Sequence, residues 1–333
     1  MTLKVIKPGL LTTVQDLGRS GYQQYGVSAG GAMDTFALRA ANLLVANEPD
    51  AAALEMTLQG PVLELEKDAW IAVCGADMGA KVNEENLPLW RPVFVKAGTR
   101  LSFGAARLGC RAYLAVSGGF KVPEVLGGRG TYLRAQFGGF AGRPLMEGDR
   151  LETGDSILAP VKMDRDRPYD ACRWYVSPHI FPAYGTDPIV RVVKGPEYEW
   201  FRPDSREMLL KERYRIRPES DRMGYRLDGP ALECDTDAVM LSEAVTAGTI
   251  QVPPDGKPVV LMADRQTTGG YARIATVIQV DLPVLAQLKP GDSLEFQLVS
   301  REEAERLYIA YEAEMSGLKL GILTKWREMN DAG

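Results

Sequence analysis

Histidine is almost missing from this chain: His179 is the only one in 333 residues. It sits in Ser177-Pro178-His179-Ile180-Phe181-Pro182 with no thiol or carboxylate spaced to share a metal with it, so no zinc site is expected. The same scarcity removes nucleophile–histidine pairs, and no GxSxG elbow or catalytic-cysteine context occurs, so covalent catalysis is not expected. Cysteine is sparse as well. Cys74, Cys110, Cys172 and Cys234 stand dozens of residues apart, without a CxxC pair and beside apolar runs, and read as buried reduced thiols. There is no run of 18 apolar residues, and Met1 to Pro8 has no apolar leader core, which excludes a helical membrane span and points to a cytoplasmic protein. Positive charge is not in excess: 39 Lys and Arg against 44 Asp and Glu give a formal charge of −5. That balance offers no footprint for nucleic acid or a membrane surface, and leaves small molecules and proteins as partners.

What is present is an ordinary globular composition, 45% hydrophobic and 25% charged, in a chain long enough for two cores. Short β-rich runs separated by turns dominate: Ala53–Met56, Pro61–Leu65, Ala69–Cys74, Pro92–Val95 and Arg111–Val116 in the first half, Val259–Met262 and Ile274–Val280 in the second. No helices alternate with them, so the pattern predicts a mainly β protein of barrel or sandwich type with a few helices, not a doubly wound sheet. Asp34 caps a helix running to Asn47, although a site role for Asp34 stays open. Ser300 and Glu303 open a C-terminal helix that Gly317 is expected to close. Three stretches of the first half have rhymes in the second: Leu3–Gly9 with Val190–Pro196, Gly60–Glu64 with Gly229–Glu233, and Ala97–Phe103 with Pro290–Phe296. With the charged stretch Asp164–Pro168 as a boundary, they divide the chain into an N-terminal β domain (1–165), a C-terminal β domain (166–300), and a helix with tail (301–333).

Polar chemistry gathers in a few loops. Asp264-Arg265-Gln266-Thr267-Thr268-Gly269-Gly270-Tyr271 lies between two strand-like runs and offers an Asp264–Arg265 charge pair, an amide, hydroxyls and a backbone that can approach a ligand closely. Asp16, Arg19 and the glycines around them form a second such loop. Gly127-Gly128-Arg129-Gly130-Thr131 lacks the GK[ST] of a phosphate loop and reads either as an anion nest or as a tight glycine turn. Ser220-Asp221-Arg222-Met223-Gly224 and Gln251, ahead of a Pro-Pro-Asp-Gly turn, complete the set. An inventory of Asp, Arg, Gln and Thr suits the holding of a small polar amide or carboxylate.

Thr-Val-Gln-Asp-Leu-Gly-Arg from Thr13, Gly-Gly-Ala-Met-Asp from Gly30, Ser-Asp-Arg-Met-Gly from Ser220, Gln-Val-Pro from Gln251 and Asp-Arg-Gln-Thr-Thr-Gly-Gly-Tyr from Asp264 follow one another over nearly the whole chain. This series resembles the family of the C subunit of ATP-dependent bacterial 5-oxoprolinase. The family is also called allophanate hydrolase subunit 2 or the biotin-dependent carboxyltransferase family; it includes an antagonist of a sporulation-kinase inhibitor and is similar to the carboxyltransferase part of urea carboxylase. The resemblance implies two cyclophilin-like β-barrel domains, a direct complex with the B subunit of that enzyme, and completion of the reaction by its A subunit. It further implies opening of 5-oxo-L-proline to glutamate at the expense of ATP with Mg2+, the nucleotide site being shared with a partner. Under it, Asp264, Gln266, Arg222 and Asp221 are the expected catalytic group. Asp16, Arg19, Asp34, Arg129, Thr131, Ser220, Met223, Gln251, Thr267, Thr268, Gly269, Gly270 and Tyr271 are expected to bind substrate, with Arg222 and Arg129 on carboxylate or phosphate and Asp16 or Asp221 on the amide N–H. Where relatives commonly read Gly-Ser-Arg-Ser-Thr, residues 127–131 carry glycine in place of both serines. The alternatives are carboxyl transfer from carboxybiotin to urea or a similar amide, and a regulatory antagonist that binds a kinase inhibitor. Lys162 lacks the flanking pattern of a biotinylated lysine, so biotin is not expected on this chain.

Overall fold

The computed structural model describes residues 2–161, 163, 167–235 and 240–331. Lys162 and most of the expected boundary, Asp164 to Asp166, lie outside the described residues. The chain forms two compact units: Met1–Arg19, Asp34–Phe181 and Ala313–Gly333 in one, Ser20–Met33 and Pro182–Glu312 in the other. The changeover thus falls at Phe181–Pro182, and the second unit takes Ser20–Met33 from far upstream.

In the first unit, period-two patterning sets the inner faces. Leu3 and Val5 of Thr2–Lys7 are buried opposite Leu65 and Leu63 of Val62–Leu65. These strands belong to a six-stranded sheet whose other members are Arg150–Glu152, Arg100–Ser102, Lys81–Val82 and Glu85–Asn86. A second six-stranded sheet is ordered Tyr169–Ala171, Val93–Val95, Ala69–Asp77, Leu108–Val116, Ala53–Thr57, Leu11–Gln15. Ala69–Asp77 and Leu108–Val116 are buried on nearly every residue because helix α1 (Thr35–Leu44) packs on them. Asp34 caps α1, its Oδ1 accepting from the Ala37 N–H at 2.9 Å. The helix stops at Leu44, short of the expected Asn47, because Ala46 turns to φ 56°.

The second unit is a closed barrel ordered Ile189–Lys194, Ala272–Val277, Thr249–Val252, Val259–Leu261, Gly224–Asp228, Tyr214–Ile216, Ser293–Leu298. Closure comes from a parallel pairing of the first and last strands. Val192, Tyr214, Ile250, Val260, Ile274 and Phe296 fill its interior. α2 (Pro203–Lys211) packs on Ser293–Leu298, and α3 (Leu282–Ala286) is buried along its whole length. A small two-stranded sheet pairs Glu243–Ala244 with Thr268–Gly269. The chain is mainly β, as the turn-punctuated sequence predicts. Two of the three rhymes fall on matching strands; Gly229–Glu233 is irregular where Gly60–Glu64 leads into a strand.

Helix α4 (Arg301–Asp331) starts as expected, with the Ser300 hydroxyl accepting from the Glu303 N–H at 3.1 Å, but it does not end at Gly317. An interior glycine costs about 1 kcal/mol relative to alanine, while truncating a buried tryptophan costs about 3–5 kcal/mol. Met315, Ile322 and Trp326 form a buried stripe across Gly317 and Gly321, and Trp326 stands 4.9 Å from Trp70, 5.5 Å from Trp174 and donates to the Leu44 carbonyl. Packing therefore carries the helix through both glycines. No described helix is long and apolar enough to cross a membrane.

Candidate functional site

The second unit holds most of the expected residues: Arg222 and Asp264 lie at the end of the barrel where Gly224 pairs with Leu261, and Gly270 and Tyr271 at the opposite end, where Val252 pairs with Ala272. Arg222 and Asp264, 42 residues apart, form a bidentate ion pair: Nε donates to Oδ2 at 2.8 Å and Nη2 to Oδ1 at 3.0 Å, with both side chains about 6% exposed. Arg222 Nη2 also donates to the Gly31 carbonyl at 2.5 Å, and the Asp264 N–H to the Arg222 carbonyl at 2.8 Å. Gly30 N–H and the Ser28 hydroxyl reach the Ala263 carbonyl. The pair is thus a clamp that fastens three segments, and both oxygens of Asp264 are engaged in it. The charge pair expected between Asp264 and Arg265 is not formed; Asp264 is taken by Arg222 instead.

Arg265 is left with backbone carbonyls, those of Val245 and Met262, each at 3.4 Å. Burial lowers its pKa, the direction expected of a cation losing water. Next to it, Gln266 Nε2 donates to Gln251 Oε1 and Gln251 Nε2 to the Tyr271 carbonyl, both at a loose 3.4 Å. Gln251 is buried, and a β-carbon on Gly269 would lie 2.4 Å from its amide nitrogen, so glycine at 269 makes room for it. The Thr267 carbonyl accepts from Val245, and Thr268 pairs with Ala244. Gly270 and Tyr271 line a groove of about 590 Å³ with Trp200, Cys234, Met240 and Val252.

Asp221 and Ser220 serve the turn before this group. Asp221 Oδ1 accepts from the N–H groups of Met223 and Gly224 at 2.8 and 3.2 Å, and the Ser220 hydroxyl exchanges bonds with the Arg226 backbone. The Met223 carbonyl accepts from Met262. Sequence reasoning missed Arg273, whose guanidinium meets Glu197 at 2.7 and 2.8 Å and Glu243 at 2.6 Å, fastening the small sheet to the barrel. Hydrogen bonding to Glu197 raises the Arg273 pKa; burial acts to raise that of Glu197, but its bonds to Arg273 outweigh this and lower it.

The remaining expected residues belong to the first unit. Asp16 Oδ2 accepts from the Arg129 N–H at 2.5 Å and Oδ1 from the Gly18 N–H at 2.8 Å. Gly128 and Thr131 N–H groups go to the carbonyls of Val125 and Val14, and the Thr131 hydroxyl also donates to Val14. Residues 127–131 form a tight turn in which one N–H, that of Arg129, is donated to the chain's own Asp16 while those of Gly128 and Thr131 go to carbonyls. Its tightness explains the glycines: a β-carbon at 130 would sit 2.8 Å from both Asp16 Oδ1 and Gln15 Oε1, and one at 138, where φ is 71°, would sit 2.2 Å from the Gly130 carbonyl oxygen. Arg19 is buried over Phe137 and donates to the Gly130 carbonyl at 2.6 Å, whereas Arg129 points outward to Glu124 at 2.8 Å. Asp34 is held elsewhere: its N–H donates to the Tyr113 hydroxyl at 2.8 Å, which donates to Glu55 Oε2 at 2.7 Å. Burial, then the Glu55 and Asp34 charges, push the Tyr113 pKa up.

Comparison with known proteins agrees with the motif series. Residues 25–298 match the family model described as carboxyltransferase domain, subdomain A and B. The chain is 41% identical to the 5-oxoprolinase C subunit of Escherichia coli, over 91% of this chain and 93% of that protein, and 38% identical to the 5-oxoprolinase C subunit of Haemophilus influenzae, over 89% and 90%. Among solved structures it is similar to K. lactis urea amidolyase, with a TM-score of 0.87 and 30% identity, covering 95% of this chain but 20% of that one.

Proposed function

The chain belongs to the carboxyltransferase domain, subdomain A and B, family, and on that premise we propose that it is the C subunit of an ATP-dependent 5-oxoprolinase, in direct contact with the B subunit and completed by the A subunit. The observation behind this is the extent of the match: 41% identity runs through 91% of this chain and 93% of the E. coli relative. An unstrained lactam is a poor electrophile. Transfer of the terminal phosphoryl group of ATP to its oxygen, with release of ADP, makes the ring carbon open to water; water adds, the ring carbon–nitrogen bond breaks and phosphate leaves, giving glutamate.

The N–H groups of Gly128, Arg129 and Thr131 are already given to the Val125 carbonyl, Asp16 and the Val14 carbonyl, which leaves this turn without a converging set for a phosphate; no phosphoryl step is assigned to residues 127–131, and ATP with Mg2+ is assigned to the partner. This chain binds and orients the lactam. Gln266 and Gln251 are joined to each other and to Tyr271 by stretched bonds, so a ligand amide offering the same donor and acceptor exchanges into them with little loss. Arg222 and Asp264 act one step back, fixing the loop that carries Gln266.

Urea or a similar amide carboxylated from carboxybiotin is the second reading, supported by the likeness to urea amidolyase over 95% of this chain. The test is to purify the chain with the A and B subunits proposed as its partners and follow ATP hydrolysis with 5-oxo-L-proline, with urea, or with neither. Stimulation by 5-oxo-L-proline is expected. Stimulation by urea alone, dependent on a biotin carboxylase, would transfer the assignment to the second reading.

A further inference from the structure

Among the buried or half-buried arginines of the barrel unit, five carry carboxylates at salt-bridge distance: Arg191 with Asp281, Arg206 with Glu199, Arg217 with Glu219, Arg222 with Asp264, and Arg273 with Glu197 and Glu243. Arg265 differs. Its neighbour in sequence, Asp264, is turned to Arg222, and among the described residues its own contacts are two carbonyl oxygens at 3.4 Å, the outer limit of hydrogen bonding. Carbonyl dipoles at that distance do not replace the water a guanidinium loses on burial, so keeping such a cation there costs stability. A tyrosine, glutamine or leucine would fill the same space without that cost. Its place in the chain carries the second point: Arg265 immediately precedes Gln266, whose amide joins Gln251 in the site proposed for the lactam.

A guanidinium in this condition is completed by an anion. We infer that Arg265 is the specificity residue that takes the substrate's carboxylate, setting a ring acid apart from a neutral lactam. Resting on the 5-oxoprolinase reading, this divides the labour of the loop: Gln266 and Gln251 meet the amide, and Arg265 meets the carboxylate in a two-pronged contact. The loop thereby selects an α-carboxylated lactam over pyrrolidinone itself, because the site's cation is satisfied by one ligand and left bare by the other. No covalent or proton-transfer role is assigned to Arg265; it binds and orients.

The test uses the complex of this chain with the proposed A and B subunits, wild type against Arg265→Gln and Arg265→Lys. Three quantities are read: KM for 5-oxo-L-proline, inhibition by cyclopentanecarboxylate, which keeps the acid and lacks the lactam, and inhibition by 2-pyrrolidinone, which keeps the lactam and lacks the acid. Arg265→Gln should weaken the first two together, by roughly 10- to 150-fold, the range of a lost charged hydrogen-bonding contact, and leave the ratio between 2-pyrrolidinone and the acids shifted by the same factor. Arg265→Lys, with charge but no planar fork, should fall between. Thermal melting of the chain separates this from a structural role: relief of a poorly compensated cation should leave the melting temperature of Arg265→Gln unchanged or higher. A lower melting temperature with all three quantities weakened alike overturns the inference, as does an unchanged preference for acids. If the wild-type complex leaves 5-oxo-L-proline intact, the parent reading fails and takes this one with it; if it converts 5-oxo-L-proline while Arg265→Gln keeps its preference, only the role of Arg265 fails.

Discussion

Removing Asp264 should unfold the barrel unit more readily before it does anything specific to chemistry. The carboxylate accepts two hydrogen bonds from Arg222, at 2.8 and 3.0 Å, and both side chains are about 6% exposed. Asp264→Ala strands a buried guanidinium, and breaking a buried pair by deleting one partner costs about 3–5 kcal/mol. For a unit of this size 1 kcal/mol moves the melting temperature by about 2–4 °C, so a fall of roughly 6–20 °C is expected. Arg222→Met should cost a similar amount. The double variant Arg222→Met, Asp264→Leu should recover most of the loss, since apolar replacement of a whole buried pair is often neutral. Thermal denaturation of the four proteins, arranged as a double-mutant cycle, measures the coupling directly. The clamp is refuted if either single variant melts within about 2 °C of wild type, or if the double variant is as unstable as the two losses added. An Asp264→Ala protein that melts normally yet has lost turnover would make Asp264 a group acting on substrate.

Other consequences are checked as simply. Gly138→Ala forces a left-handed residue and a β-carbon 2.2 Å from a carbonyl oxygen, and should lose more than about 1 kcal/mol in urea unfolding; Gly148→Ala, also at positive φ but in open space, should lose clearly less, and equal losses would discount the crowding around Asp16. Trp326→Ala should cost about 3–5 kcal/mol and weaken the near-ultraviolet circular dichroism from the Trp70–Trp326–Trp174 group, whereas an unchanged spectrum would mean that the distal part of α4 does not pack there. Arg143 hydrogen bonds, then the Met146 N–H and the Arg143 charge, lower the Asp149 pKa against a contrary push from burial. Its folded value therefore lies below the unfolded value near about 3.9, so the contribution is whole above that pH and is lost as pH falls toward the folded value. Arg143→Met should cost stability at neutral pH and progressively less below about pH 4; a pH-independent cost would reject the linkage.

Local signals were legible and long-range pairings were not. Alternation in Thr2–Lys7 and Val62–Leu65 marks their inner faces, and Asp34 caps α1 as an N-cap residue should. Asp264 next to Arg265 invites a charge pair in the sequence, but side-chain direction sends the carboxylate to Arg222, 42 residues away. Glu197 and Arg273, 76 residues apart, leave no spacing to detect. The glycines at 127–131 mark an anion nest or a tight turn equally well, and only folding shows the turn, with one of its amides on Asp16, 113 residues from Arg129. Gly317 is a local stop signal that the buried stripe Met315, Ile322 and Trp326 overrides. The loop from Asp264 to Tyr271 was visible as a polar concentration between strands; which of its residues are occupied by the fold and which are left over was not.

An omission experiment bears most directly on the proposed role. The A and B subunits proposed as partners are mixed with ATP, Mg2+ and 5-oxo-L-proline, and glutamate is quantified with and without this chain. Glutamate is expected only when the chain is present, formed in step with ADP. Equal glutamate without the chain, or none with the whole complex assembled, would contradict that role.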